Sequence, residues 1–165
     1  MSLILGNELP ERAMTYMQVG RLVIIATVDE RGWPNTAPIS WITAVDKRTL
    51  RLAVSSDVAT YRNIQQNENV MISLLGAAMT LGIRGRAHVL SETMSGIALP
   101  MAMVEVTVDE VKDDSVIGRG EEEEPVRWEE RRRQVSDIRV ENALRTTGSE
   151  EESVDAETQP QFAND

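Results

Sequence analysis

Apolar positions along this chain fall mostly into short runs or strict alternation, and only briefly into a helical period. Residues 21–29 (RLVIIATVD) are dense in β-branched side chains and too short for a helix, which predicts a buried strand. Asp29-Glu30-Arg31-Gly32 supplies turn chemistry, and residues 34–45 predict a second strand that forms a hairpin with the first. Pro34 and Pro38 remove ladder donors, so this strand lies at an edge or carries a bulge. A turn at Asp46-Lys47-Arg48 leads into a third strand over 50–55. Val58, Tyr61 and Ile64 then recur at intervals of three in a mostly polar stretch. That spacing predicts a short amphipathic helix over 59–67, with Ser55, Ser56 and Asp57 as candidate caps. Strands return at 69–75, 80–90 and 101–111, the last with clean alternation at Val104, Val106 and Val108.

Helices are expected at both ends. Asn7 can cap a helix with Pro10 and Glu11 in its first turn, an apolar side of Leu9, Ala13, Met14 and Met17, and Gly20 as its stop. Pro125 opens a second one over 126–145, with Gly148 beyond its end. The pattern predicts a mainly β domain with minor α: six antiparallel strands in a Greek-key-like barrel, closed or nearly so, because closure removes exposed edges.

Charge divides the chain. Residues 1–112 carry 10 basic and 11 acidic side chains, whereas residues 113–165 carry 7 and 16. The expected organisation is a balanced domain over 1–112, a charged and partly helical extension over 113–148, and an acidic tail over 149–165. That tail lacks the apolar residues to offset ordering entropy. In the extension, Arg127, Arg131, Arg132 and Arg133 interleave with Glu129, Glu130 and Asp137, which favours exposed pairing along a helix. The net charge of −10 is the wrong sign for gripping a phosphate backbone, so no nucleic-acid partner is expected. The longest apolar run is far below a membrane span, and the apolar N-terminal stretch is short and lacks a basic flank. A cytoplasmic protein without a membrane partner is the expectation.

Cysteine is absent, which removes thiol catalysis, disulfides and thiolate metal sites. A single histidine, His88, rules out paired-histidine metal motifs and makes a Ser-His-Asp triad improbable. It lies in Arg84-x-Arg86-x-His88, one polar side of a strand, and reads as a solvated or interface-facing side rather than a catalytic one. No catalytic residue set and no metal set emerges. The start of the 59–67 helix is richer, because Ser55, Ser56 and Thr60 place hydroxyls beside free N–H groups. This arrangement suits either a phosphate cradle or ordinary capping. Asp57 would repel a phosphate on its own side, which favours capping.

Three stretches in order, 24–40 (IIATVDERGWPNTAPIS), 50–70 (LRLAVSSDVATYRNIQQNENV) and 81–90 (LGIRGRAHVL), resemble the pyridoxamine 5′-phosphate oxidase-like FMN-binding split-barrel family. The likeness spans about residues 8–112. It implies a homodimer with FMN at the interface and a small-molecule redox substrate, in the manner of a flavin-dependent oxidoreductase. It places cofactor contacts at Pro38, Ile39, Ser40 and Thr43, at Val54, Ser55 and Ser56, at Thr60 and Arg62, and at Thr80 reaching in from the partner. Positions that carry basic residues for the phosphate in the oxidases read Pro38, Thr43, Ala59 and Thr60 here. The phosphate would then rest on hydroxyls and N–H groups, with Arg62, Arg84 or Arg86 as the available cations. The oxidase's C-terminal substrate segment has no counterpart, so oxidation of pyridoxamine phosphate itself is not expected. Rival readings are the same barrel with F420 or heme, and a cofactor-free binding or regulatory module.

Overall fold

The structure, a computed structural model, describes residues 3–76, 79–114 and 135–146. Among these residues eight strands and three helices follow in the order β1 (Leu3–Gly6), α1 (Glu11–Tyr16), β2 (Val23–Val28), β3 (Pro34–Ile39), β4 (Ile42–Asp46), β5 (Thr49–Ser55), α2 (Ala59–Gln66), β6 (Asn69–Gly76), β7 (Met79–Ser91), β8 (Met101–Asp113) and α3 (Val135–Arg145). All strand pairs are antiparallel, in the order β3-β2-β6-β7-β8-β5-β4, with β1 added to β8.

The six expected strands become eight for two reasons. The 34–45 segment is two strands, because its backbone changes partners at Ser40 and Trp41. The Ser40 carbonyl accepts from Gly20 N–H at 2.7 Å, and the Trp41 carbonyl accepts from Ala53 N–H at 2.9 Å. Before the switch the chain pairs with β2; after it the chain pairs with β5. The second addition, β1, pairs with the far end of β8. Its four residues are all exposed, so it carries no burial alternation that a sequence pattern would reveal.

The two ends of the sheet, β3 and β4, are therefore consecutive in the chain and separated by two residues. A link that short holds the ends within about 11 Å, so the sheet must curl round, yet its ends share no ladder. The barrel is split rather than closed. Pro34 and Pro38 fall on the end strand β3, where a missing donor leaves no central ladder broken.

Inside the curl, Leu50, Leu52, Ile72, Ile83, Val104, Val106 and Val108 are fully buried, and their spacing of two along each strand is the alternation the sequence carries. The helices start and stop differently from expectation. Residue 10, a proline, precedes the first turn of α1, leaving Asn7 outside the helix, and α1 stops at Tyr16 well before Gly20. Gly20 instead turns the chain into β2 with φ +99°, a conformation costly for any residue with a Cβ. Helix α2 is capped by the backbone at Val58 without a side-chain bond, because the Ser55 hydroxyl is turned onto the Asp57 carboxylate.

A second, smaller cluster lies on the outer side of the sheet. Val140 and Leu144 of α3 pack with Val19, Ala53, Met94 and Met103. Beside them Arg51, only 5 % exposed, pairs through Nε with Glu105 Oε2 at 2.7 Å and donates from Nη1 to the Leu144 carbonyl at 2.9 Å. A cation at a helix C-terminus satisfies a carbonyl that the helix leaves free. The first part of the expected 126–145 helix, the 127–133 arginines and the acidic tail lie outside the described residues. Within α3, Arg145 and Glu141 form an i,i+4 pair at 3.0 Å.

Candidate functional site

A groove opens where the sheet is split. Its walls come from the end of β3, the Ser40–Trp41 link, the end of β5 and the start of α2, and it encloses about 380 Å³. Pro38, Ile39, Trp41, Val54, Val58 and Met101 make it largely apolar, while Ser40, Ser55 and Thr60 contribute hydroxyls. Among the described residues that line it there is no Lys and no Arg.

The floor near α2 is held by a small polar network. Asn35 Nδ2 donates to Thr27 Oγ1 at 3.3 Å and to Thr60 Oγ1 at 3.2 Å, and Asn63 Nδ2 donates to Thr27 Oγ1 at 3.0 Å. Thr27, Thr60 and Asn63 are buried, so these bonds fix the helix on β2 and β3. With Thr60 Oγ1 accepting from Asn35, its own proton remains to donate. Nothing in hydrophobic periodicity marks Thr27, Asn35 and Asn63 as a unit, and sequence reasoning missed them. Their signal is three small polar residues at positions that burial patterning would fill with apolar ones.

Six of the sequence-derived positions line this groove together: Pro38, Ile39, Ser40, Val54, Ser55 and Thr60. Four stand apart from its lining. Ser56 is drawn off by Pro100, whose carbonyl accepts from its N–H at 3.0 Å and from its hydroxyl at 3.3 Å. Arg62 donates from Nη1 to the Asp57 carbonyl at 2.8 Å. Thr80 opens β7 opposite Leu75, at the far end of that 13-residue strand from Ser91 and Met103. Thr43 pairs in register with Arg51, whose side chain reaches α3.

Thr43 is fully buried, and its hydroxyl oxygen has no hydrogen-bond partner among the described residues. A buried hydroxyl without a partner costs about 1–3 kcal/mol. Thr43→Val is therefore expected to stabilise the fold by about 1 kcal/mol, read as a higher urea midpoint at unchanged slope. A lower midpoint would show that the hydroxyl does have a partner.

Arg84, Arg86 and His88 project from the outer side of β7, as their alternation implied, and all three are exposed. Arg84 pairs with Glu110 at 3.3 Å, and His88 Nε2 lies 3.7 Å from Glu105. Arg86 bonds both oxygens of Asp109, at 3.1 and 3.2 Å, and this hydrogen bonding, followed by the carboxylate's charge, raises the guanidinium pKa above its ordinary value. Among the described residues no group of three or more His, Asp or Glu is placed to hold a metal, and no helix is long and apolar enough to cross a membrane.

An antiparallel sheet curled on itself, left unpaired at its ends, with an apolar groove and hydroxyls at the split, defines the class of split-barrel proteins. The chain belongs to the pyridoxamine 5′-phosphate oxidase family, whose profile matches residues 9–114. The fold is similar to that of a candidate pyridoxamine 5′-phosphate oxidase from Lactobacillus delbrueckii, at TM-score 0.57 and 22% identity over 67% of this chain and 98% of that one. It is also similar to a variant of HupZ from Group A Streptococcus (TM-score 0.53, 22% identity, 63% and 98% covered) and to an F420 reductase (0.52, 20%, 62% and 98%). At these identities the likeness establishes the fold. No curated protein matches the sequence.

The groove fits one half of FMN and not the other. An apolar slot between Trp41, Val54, Val58 and Met101 suits a planar tricyclic ring, and the hydroxyls suit a polyol chain. The phosphate finds no cation among the described residues of the lining.

Proposed function

We propose that this chain is a cytoplasmic, homodimeric flavoprotein that seats a flavin ring in the groove at the barrel split and acts as an oxidoreductase on a small-molecule redox substrate. The observation that carries this reading is the groove itself, which joins six of the family-implied contact positions around one apolar slot. FMN is the form of the cofactor that family membership implies. A bound flavin supplies the electron chemistry, so the protein's own task is to position and shield it. That task matches a groove built of apolar walls, hydroxyls and a rigid polar floor.

The dimer reading is supported by the outer side of β2 and β6. Ile24, Ala26, Val28, Met71 and Ser73 are only half-buried there, and alternation puts Thr80 on the same side. Two copies meeting on this surface carry each Thr80 toward the other subunit. In this scheme the barrel over 1–112 holds the cofactor, the 113–148 extension covers its outer side through α3, and the 149–165 tail is accessory. F420 or heme in the same groove is the alternative, favoured by the missing cation; a cofactor-free module is the remaining one.

Purified full-length protein reconstituted with flavin is expected to show flavin absorbance near one per subunit and the mass of a dimer in light scattering. Ligand at about 100 times its Kd adds about 2.7 kcal/mol of stability, a shift of several degrees in Tm. A colourless protein that gains no thermal stability from FMN, riboflavin, F420 or heme refutes cofactor binding in this groove.

A further inference from the structure

We infer that the groove selects a flavin whose tail is uncharged over the same ring carrying a 5′-phosphate, and that Asp57 sets this preference. The inference rests on the flavin reading above and specifies which member of that ligand class the site takes.

Three observations carry it. The lining offers hydroxyls from Ser40, Ser55 and Thr60 and no basic side chain among the described residues. The turn between β5 and α2 carries the Asp57 carboxylate, exposed and one hydrogen bond from the groove wall, because Ser55 Oγ donates to Asp57 Oδ1. The cations within reach by sequence are already engaged. Arg62 is held on the Asp57 carbonyl, while Arg84 and Arg86 pair with Glu110 and Asp109 on the outer side of β7.

A neutral ribityl tail exchanges hydrogen bonds with the three hydroxyls at little desolvation cost. A phosphate monoester, with its second pKa near 6, arrives as a dianion. Near the Asp57 carboxylate in a water-exposed turn, it is repelled enough to weaken binding about fivefold. Without a basic partner it also forfeits charge-assisted bonds, which are roughly twice as strong as neutral ones. The helix N-terminus of α2 returns part of this, but its attraction is limited to the first turn and screened by salt.

The test titrates full-length protein with riboflavin and with FMN, following quenching of flavin fluorescence, at low and at moderate salt. Riboflavin is expected to bind at least fivefold more tightly at low salt, with the gap narrowing as salt screens the repulsion. Asp57→Asn is expected to bring the two ligands close to parity, and Asp57→Lys to favour FMN, with riboflavin moved far less than FMN in both. Asp57 is exposed in the turn, so these variants are expected to fold, with circular dichroism as the check. Tighter binding of FMN than riboflavin by the unaltered protein overturns the inference and leaves the flavin reading standing. A loss of FMN affinity in Arg62→Gln overturns it as well, by identifying a cation that grips the phosphate. Binding of neither flavin overturns the flavin reading and this inference with it.

Discussion

Replacing Glu105 by alanine lowers the stability of the fold by about 3 kcal/mol, the lower end of what breaking a buried ion pair costs. Arg51 is the reason. Its side chain is 6 % exposed, its Nε meets Glu105 at 2.7 Å, and its Nη1 meets the Leu144 carbonyl at 2.9 Å. Removal of the carboxylate leaves a buried cation with the Leu144 carbonyl as its remaining partner. His88 adds little on the other side of Glu105, because it is exposed and 3.7 Å away. The loss is expected as a lower urea midpoint, accompanied by faster proteolysis near α3 as the helix C-terminus comes free. The double variant Arg51→Met with Glu105→Leu removes both charges and is expected to recover most of the loss. A single-variant loss below about 1 kcal/mol would mean that water reaches the guanidinium and that the pair behaves as a surface bridge.

Gly85→Ala is expected to cost about 3 kcal/mol, the upper part of the range for overpacking a well-filled site. A Cβ at this position would lie 2.4 Å from the Thr107 carbonyl oxygen and 2.8 Å from Val106 Cγ1. The oxygen belongs to the backbone of β8 and cannot rotate away. The register of β7 and β8 shifts between Arg84 and Gly85, which draws the two backbones together at this point. Gly82→Ala provides the comparison, because its added Cβ meets side-chain atoms of Lys112 and Met71 and no backbone atom among its three nearest contacts. Its expected cost is below about 1 kcal/mol. Similar losses in the two variants, measured by thermal unfolding, would show that the bulge can relax.

Much of this architecture is readable along the chain. The buried strands announce themselves where one side faces the core, as with Leu50 and Leu52 or Val104, Val106 and Val108. The glycine of the Ile83-Arg84-Gly85-Arg86-Ala87 run belongs to a stretch that pointed to the family, and its physical purpose is the close approach of β8. The site was legible in part. Pro38, Ile39, Ser40, Val54, Ser55 and Thr60 converge on one groove, whereas the polar floor of Thr27, Asn35 and Asn63 was not visible, because its members come from three elements. Arg51 was equally hidden. On a strand whose other residues alternate toward the core, an arginine reads as solvent-facing, and only the docking of α3 buries it.

The amino-acid sequence alone determined where the strands with a buried side lie, how the charge divides between the front and back of the chain, and to which family the front belongs. Those properties are local, or reside in the order of short motifs, so they survive without knowledge of what lies opposite. Tertiary structure decided that the backbone changes ladders at Ser40–Trp41, that the sheet therefore curls without closing, and that α3 seats its last turn on Arg51. Each of these depends on a partner distant in the chain, and a hydrogen bond or buried charge is satisfied by whatever group the fold brings to it, not by its neighbours in sequence.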